Sequence, residues 1–349
     1  MSLKLTVCIP TYNRAALIGH SLESIISQAT ENLEIVIVDG GSSDNTKDIV
    51  DEFRQSFTNI VYFRRQKNIG VDADILKAVE LARGDYCWLM SDDDRMQPGA
   101  LKHVMSELAK YRDIAGASVN YMAYDKEMRF EVRTVPAASG GRLSSDFLFT
   151  NPEECFSILG IHLGYLSAQI VNKRVWAEVV SKTDLGPYYN CWLLVYIIGQ
   201  MLRCNAQWLY IHRKCIGYRS GNDSFIVRVG PYNRQLITHV AFDKIVVDLF
   251  GKRSLVYQNV FNTLISDRMG RSLAVLKANG ASLTLQLGLF RLYARQYWRF
   301  PRYWIQVAPV FLAPNTLLKI VRAVYLRMRS RTAGRRQPTS RAAVPFPEN

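Results

Sequence analysis

The first 125 residues alternate four times between a short apolar run and an amphipathic stretch, and this alternation restricts the fold more than any other feature. Leu5 to Ile9, Glu34 to Val38, Ile60 to Phe63 and Tyr86 to Met90 are strand-length runs rich in Val, Ile and aromatic residues. Ala15 to Gln28, Thr46 to Phe57, Asp72 to Leu81 and Pro98 to Leu108 carry apolar residues at helical spacing. Asp44 or Asn45 stands where a helix cap belongs, and Pro98 marks a first turn. Strand then helix, repeated, predicts an α/β fold with a mostly parallel, Rossmann-like sheet and helices on both faces, because parallel neighbours require a crossover.

Ligands of such sheets bind beyond the carboxyl ends of the strands. Here those ends read Pro10-Thr11-Tyr12-Asn13-Arg14, Asp39-Gly40-Gly41-Ser42-Ser43-Asp44, Gln66-Lys67-Asn68-Ile69-Gly70 and Ser91-Asp92-Asp93-Asp94. Three adjacent acids repel one another, and hard oxygen ligands of this kind suit Mg²⁺ or Mn²⁺. A cation there would bridge the phosphates of a nucleotide donor and neutralise the leaving diphosphate. The competing role for the triplet is a solvated turn or a cap on the helix near Pro98. Asp39 is placed to accept from uracil N3–H or the cytosine amino group, with Gly40 and Gly41 allowing close approach; its competing role is to cap the following turn. The absence of GxGxxG and GxxxxGKS motifs argues against a dinucleotide dehydrogenase and a P-loop enzyme.

Beyond residue 125 the alternation weakens, and Ser139-Gly140-Gly141 reads as a loop. A strand is predicted over Tyr165 to Asn172, a helix over Tyr189 to Leu202, a further strand near Trp208 to His212, and helices from Tyr232 to Lys277. The net charge is +14, yet twelve of the 44 Lys/Arg and one of the 30 acids lie from Arg291 onward, so +11 belongs to the tail. A nearly neutral body with a cationic tail does not suit wrapped nucleic acid, and none is expected as a partner. Tyr293, Tyr297, Trp298, Tyr303 and Trp304 among arginines have the composition of a segment lying in a headgroup layer. Pro301, Pro309 and Pro314 interrupt it, so an anionic membrane surface is the expected partner rather than a bilayer span. The competing reading is a helical hairpin packed into a core. Six cysteines without CxxC spacing predict reduced thiols, and no leader precedes the first strand. A cytoplasmic protein, peripheral on the inner face of the membrane, is therefore expected.

The segments TVCIPTYNR, EIVIVDGGSSDNT, QKNIG and GDYCWLMSDDDRMQPGAL, in this order, resemble the nucleotide-binding half of family 2 GT-A glycosyltransferases over residues 3 to 125. The resemblance implies that Pro10, Thr11, Tyr12 and Arg14 contribute to the donor pocket, with Asp39 on the base and Asn68, Gly70 and Asp72 at its border. It implies Asp92 beside the sugar-diphosphate and Asp93, with Asp94, on the metal. Ser91 stands where many members carry the first acid of their motif. GDYCW with SDDD, GYLSAQIVNKRVW and GNDSF are similar to bacterial abequosyltransferase-like O-antigen enzymes. That implies a dideoxyhexose moved from CDP to a lipid-linked oligosaccharide, although Asp39 would read either pyrimidine, leaving CDP- and UDP-sugars open.

Inverting members place an acidic general base after the acceptor strand, and in KTDLGPYYN only Asp184 supplies a carboxylate; His162 is the other candidate. The SGNDSF loop would order over the donor, with Arg219 or Arg228 against the diphosphate and Asn222 or Asp223 on the sugar. The expected organisation is a GT-A domain over residues 1–225, divided at 125 into nucleotide and acceptor halves. A helical, membrane-associating region follows over 226–330 and a flexible basic tail over 331–349. The function implied is a metal-dependent, hexosyltransferase-type transfer in surface polysaccharide synthesis. The alternative is a catalytically silent GT-A fold that binds nucleotide or glycan as a scaffold.

Overall fold

The computed structural model describes residues 3–111, 113–135 and 142–320. The predicted Ser139-Gly140-Gly141 loop and the basic tail over 331–349 lie outside the described residues. The four predicted strand and helix pairs are present. Strands β1 (Leu5–Thr11), β2 (Leu33–Asp39), β3 (Ile60–Arg64) and β4 (Tyr86–Leu89) pair in parallel in the order β3-β2-β1-β4. Helices α1 (Ala15–Ile26), α2 (Thr46–Ser56) and α3 (Val71–Leu81) make the crossovers. Side chains alternate between the two faces of a strand, and every residue of β1, β2 and β4 is buried, so both faces are covered.

The remaining strands continue the same sheet. They are β5 (Arg95–Met96), β6 (Gly116–Tyr124), β7 (Glu131–Val135), β8 (Phe147–Phe149), β9 (Gln169–Asn172) and β10 (Trp208–Arg219). From β4 the order runs β9-β6-β10-β5, with β7 on β6 and β8 on β10. β9 is antiparallel to both β4 and β6, which restores the common direction to β6 and β10. It is half the length predicted, because residues 165–168 form a tight turn that presents their polar side chains at the sheet edge. β10 is much longer than predicted. Two register shifts bend it, between Ile211 and Lys214 and again before Ile216, so that its first half pairs β8 and its second half pairs β5.

Helix α4 (Ala100–Lys110) follows Gly99, whose φ of 71° ends the Pro98 turn before the helix starts. Asn151 caps α5 (Pro152–Leu159) and Asn172 caps α6 (Lys173–Lys182), each side chain accepting two backbone N–H groups. Helices α7 (Leu193–Cys204), α8 (Ser224–Leu236), α9 (Phe242–Phe250) and α10 (Leu255–Leu264) follow, with Gly230 breaking the α8 dihedrals.

The chain divides into two compact units, Met1–Thr263 and Leu264–Asn349, so packing carries the first unit past residue 225. The second unit contains α11 (Gly270–Ala278), α12 (Leu283–Tyr297) and α13 (Ala308–Leu312). Lys277, at 2% exposure, donates to the carbonyls of Val310, Phe311 and Ala313 at 3.0, 2.6 and 2.9 Å. Its ammonium thereby satisfies the carbonyls that the end of α13 leaves unpaired. Among the described residues no helix is long and apolar enough to cross a membrane.

Candidate functional site

The carboxyl ends of β1 to β4 converge through their loops. Gly40 is the junction: a Cβ there would lie 3.0 Å from Asp74 Oδ2, 3.4 Å from Asn68 Nδ2 and 3.5 Å from Tyr12. The first two loops are fastened by exchange of hydrogen bonds. Asn13 N–H donates to Ser42 Oγ at 2.8 Å, Ser43 N–H to Asn13 Oδ1 at 2.8 Å, and Arg14 N–H to Thr46 Oγ1 at 2.9 Å. Gly41 has φ of 90°, and a Cβ would meet the Arg65 carbonyl at 3.1 Å, so the turn requires glycine.

Asp39 is fully buried at the end of β2. Its Oδ1 accepts from Gly41 N–H (3.0 Å), Ser42 N–H (2.7 Å) and Ser42 Oγ (2.7 Å), and its Oδ2 from the Tyr62 hydroxyl (2.6 Å). The turn-capping role weighed for this residue is therefore filled. Pro10 and Thr11 end β1 under cover, whereas Tyr12 is 42% exposed. Asn68 accepts the Gly70 N–H at 2.9 Å, and Gly70, with φ of 101°, precedes α3. Asp72, buried in the first turn of α3, accepts Cys191 N–H at 2.7 Å and brings the 190–193 segment to the same edge. Burial pushes its carboxyl up to about 6, against the pull of three backbone donors.

The three acids after β4 have three different surroundings. Asp92 is buried and faces Arg14, whose Nε lies 3.4 Å from Oδ1. Burial first, and then the neighbouring Asp93, push its carboxyl up to about 7, with Arg14 opposing. Asp93 accepts from Ser91 Oγ at 2.5 Å and from Asn222 Nδ2 at 2.6 Å. Asp94 is enclosed: Tyr165 and Ser167 donate to Oδ2 at 2.7 and 2.6 Å, and Arg219 N–H donates to Oδ1 at 3.0 Å. Burial and Asp93 push Asp94 also up to about 7. Adjacent buried carboxylates with a single side-chain ion pair, Arg14 on Asp92, are under-compensated, and hard oxygens fit Mg²⁺ or Mn²⁺. Both oxygens of Asp93 and both of Asp94 accept from protein donors, but those on Asp93 are the short side chains of Ser91 and Asn222, whereas Asp94 is held by buried Ser167, by Tyr165 and by the main-chain N–H of Arg219, so Asp92 and Asp93 are the pair better suited to that ion.

The strand β5 explains how residues so distant in sequence meet. It leaves the acids directly and pairs with the end of β10, so Arg219 arrives beside them. Arg219 is buried, with Nε on the Asp93 carbonyl at 2.8 Å and Nη1 on the Lys126 carbonyl at 2.5 Å. Its guanidinium is thus directed at main chain. Asp223 pairs with Arg234 at 3.0 Å and accepts Ile226 N–H at 3.2 Å.

On the β6 and β9 side, His162 Nδ1 lies 3.2 Å from the Tyr121 hydroxyl. The Tyr121 ring packs on Tyr165 at 4.4 Å between centroids, and Tyr165 holds Asp94. Asp184 is exposed and accepts Gly186 N–H at 3.0 Å, capping the turn that follows. His162 is thereby joined to the acids through two tyrosines. Tyr165 and Ser167 lie inside the strand that periodicity predicts over Tyr165 to Asn172, which hides their role as donors to Asp94. The signal that marks them is a pair of hydroxyl side chains immediately ahead of an apolar run at a sheet edge. A separate group, His103 and Glu107 on α4 with Asp146 ahead of β8, brings ligand atoms within 4.8 Å of one another. Lys110 holds both oxygens of Glu107 at 2.7 Å, so a cation is already seated there.

A family model described as Glycosyl transferase family 2 matches residues 6–157. The chain is 30% identical over 278 residues to Abequosyltransferase RfbV of Salmonella typhimurium, covering 76% of this chain and 80% of that protein. It is 33% identical over 105 residues to the GalNAc(5)-diNAcBac-PP-undecaprenol beta-1,3-glucosyltransferase of Campylobacter jejuni, covering 30% of this chain and 34% of the relative. Among solved structures, S. aureus TarS in complex with UDP-GlcNAc superposes with a TM-score of 0.61 at 14% identity. That likeness covers 86% of this chain and 82% of the other, and it concerns the fold.

Proposed function

Because the chain belongs to the family 2 glycosyltransferases, we propose that it moves a sugar from a pyrimidine nucleoside diphosphate to a hydroxyl of a lipid-linked glycan, in surface polysaccharide or O-antigen synthesis. The observation that carries the reading is the buried pair Asp92 and Asp93 at the edge where the β1, β2 and β3 loops meet. Asp93, with Asp92, holds Mg²⁺ or Mn²⁺, and the ion supplies charge neutralisation to the leaving nucleoside diphosphate. Tyr12 and the segment from Asn68 to Asp72 border the nucleotide. Asp39 sets the Gly40 and Gly41 turn against which the base rests. His162 is the better placed of the two candidate bases, through its path to Asp94. The 30% identity to an abequosyltransferase supports a CDP-dideoxyhexose as the first donor to try, with UDP-sugars as the second. The undecaprenol-linked acceptor in the name of the Campylobacter relative supports a polyprenyl diphosphate acceptor.

The second unit is assigned to the cytoplasmic membrane face. Leu283, Trp298, Trp304, Ile305 and Leu312 are each more than 45% exposed, and Arg299 stands over the Trp298 ring at 5.0 Å. Exposed indole and aliphatic side chains beside arginines suit an anionic headgroup layer. A panel of CDP-, UDP- and GDP-sugars with a polyprenyl-linked acceptor and Mn²⁺ tests the reaction. Donor binding with neither transfer nor hydrolysis would leave only the scaffold role. Flotation on anionic vesicles tests the address: Trp298→Ala with Trp304→Ala should reduce the bound fraction, and an unchanged fraction would refute it.

A further inference from the structure

The two oxygens most suited to a cation are already occupied by side chains of the protein itself. Arg14 Nε lies 3.4 Å from Asp92 Oδ1, and Asn222 Nδ2 lies 2.6 Å from Asp93 Oδ2. We infer that Arg14 and Asn222 are placeholders: a divalent cation displaces both, and they pass to the donor, Arg14 to its diphosphate and Asn222 to its sugar. The inference rests on the reading of Asp92 and Asp93 as the cation site.

Both side chains are free to make this exchange without unfolding anything. Arg14 is fixed at its main chain, where its N–H donates to Thr46 Oγ1 at 2.9 Å, so only the side chain must swing. That side chain retains 19% exposure, which leaves a route toward solvent and an incoming anion. Asn222 follows Gly221, which has φ of 82° and no atom within 4 Å of where its Cβ would be. The backbone there has room to rotate. Arg219 behaves differently: its Nε and Nη1 are committed to the carbonyls of Asp93 and Lys126, and its N–H to Asp94. It is a fixed strut, and Arg14 is the cation that can move.

The charges give the exchange a direction. A guanidinium and a divalent cation compete for one carboxylate oxygen and repel each other, so the ion alone binds against Arg14. A nucleoside diphosphate brings negative charge that draws the guanidinium off Asp92 and chelates the ion at once. Ion and nucleotide therefore strengthen each other's binding, and by linkage they do so equally. Removing Arg14 should separate the two effects with opposite signs, which a residue serving only to hold the loop would not do.

The test is Mn²⁺ binding to the full chain, read from the electron paramagnetic resonance of free Mn²⁺, with and without CDP or UDP. Arg14→Gln should bind Mn²⁺ alone about tenfold tighter and the nucleotide, in the presence of Mn²⁺, about tenfold weaker. Arg14→Lys, which keeps the charge, should stay close to the unmodified protein for Mn²⁺ alone. Asn222→Ala should tighten Mn²⁺ alone by about threefold. Arg14→Gln that weakens both ligands, or leaves Mn²⁺ alone unchanged, overturns the exchange while sparing the proposed transfer. Should Arg14→Gln not fold, Asn222→Ala decides: unchanged or weaker Mn²⁺ binding overturns the inference. An unmodified protein that holds neither Mn²⁺ nor nucleotide overturns both readings.

Discussion

Asp93 and Asp94 are neighbours in the chain, yet they are held by different kinds of partner. Asp93 accepts from two short side chains, Ser91 beside it and Asn222 in the loop after β10. Asp94 is enclosed by Tyr165, Ser167 and the main-chain N–H of Arg219 at the end of β10. One acid is held by short side chains alone, the other by a buried turn and the main chain. Identity of residue type is therefore a poor guide to role; what separates chemistry from scaffolding is whether the donors around a carboxylate can leave.

Substitution tests that contrast directly. Asp93→Ala should cut Mn²⁺-dependent transfer by about 10³-fold while leaving the melting temperature close to that of the unmodified protein. Retained nucleotide binding in Mn²⁺ would remove Asp93 from the ion. Asp94→Ala should instead cost about 3 kcal/mol of stability, because it strands three donors in a buried position. Chemical denaturation measures it, and a loss below about 1 kcal/mol would erase the distinction between the two acids. Tyr165→Phe removes one of those donors alone and should cost about 1 kcal/mol, with transfer reduced less than by Asp93→Ala.

The comparison also has a pH dependence. Burial and Asp93 hold the Asp92 and Asp94 carboxyls at about 7, above the ordinary aspartate range. Between that range and about 7 the folded, cation-free protein binds protons that the unfolded chain has released, so its stability should fall as pH rises. A cation requires the ionised form, so Mn²⁺ affinity should rise over the same interval and level off above about 7. Thermal melts with and without Mn²⁺ from pH 5 to 8 would show the two curves separating. Parallel curves would place the ion elsewhere.

The parallel half was legible in the sequence because its information is local. A run such as EIVIVD is buried along its whole length, its helix follows at once, and Asp39 and Asp92 fall at strand ends that periodicity alone locates. The mixed half was legible only in part, in β9, β10 and α7, for the opposite reason. β5 is two residues and β9 four, too short to show a period, and both exist only because β10 and β4 lie beside them. Residues 165–168 look like strand in sequence, and tertiary hydrogen bonds to Asp94 and Ser91 make them a turn. The Arg219 guanidinium reads as a phosphate ligand by type, and only its pairing with main-chain carbonyls reveals that it is structural.

The bonds that enclose Asp94 span 71, 73 and 125 residues of chain. Such closures are entropically late, because each must wait for its partner to be made and brought back. The nucleotide half can assemble from its own neighbours while synthesis continues, but Arg219 and Asn222 reach Asp93 and Asp94 only once β10 has emerged and docked. The last strand of the sheet is thus a timing element: the full set of donors around Asp93 and Asp94 exists only after most of the polypeptide does, and a product cut short before β10 would carry the sequence motifs without Arg219 and Asn222 beside them.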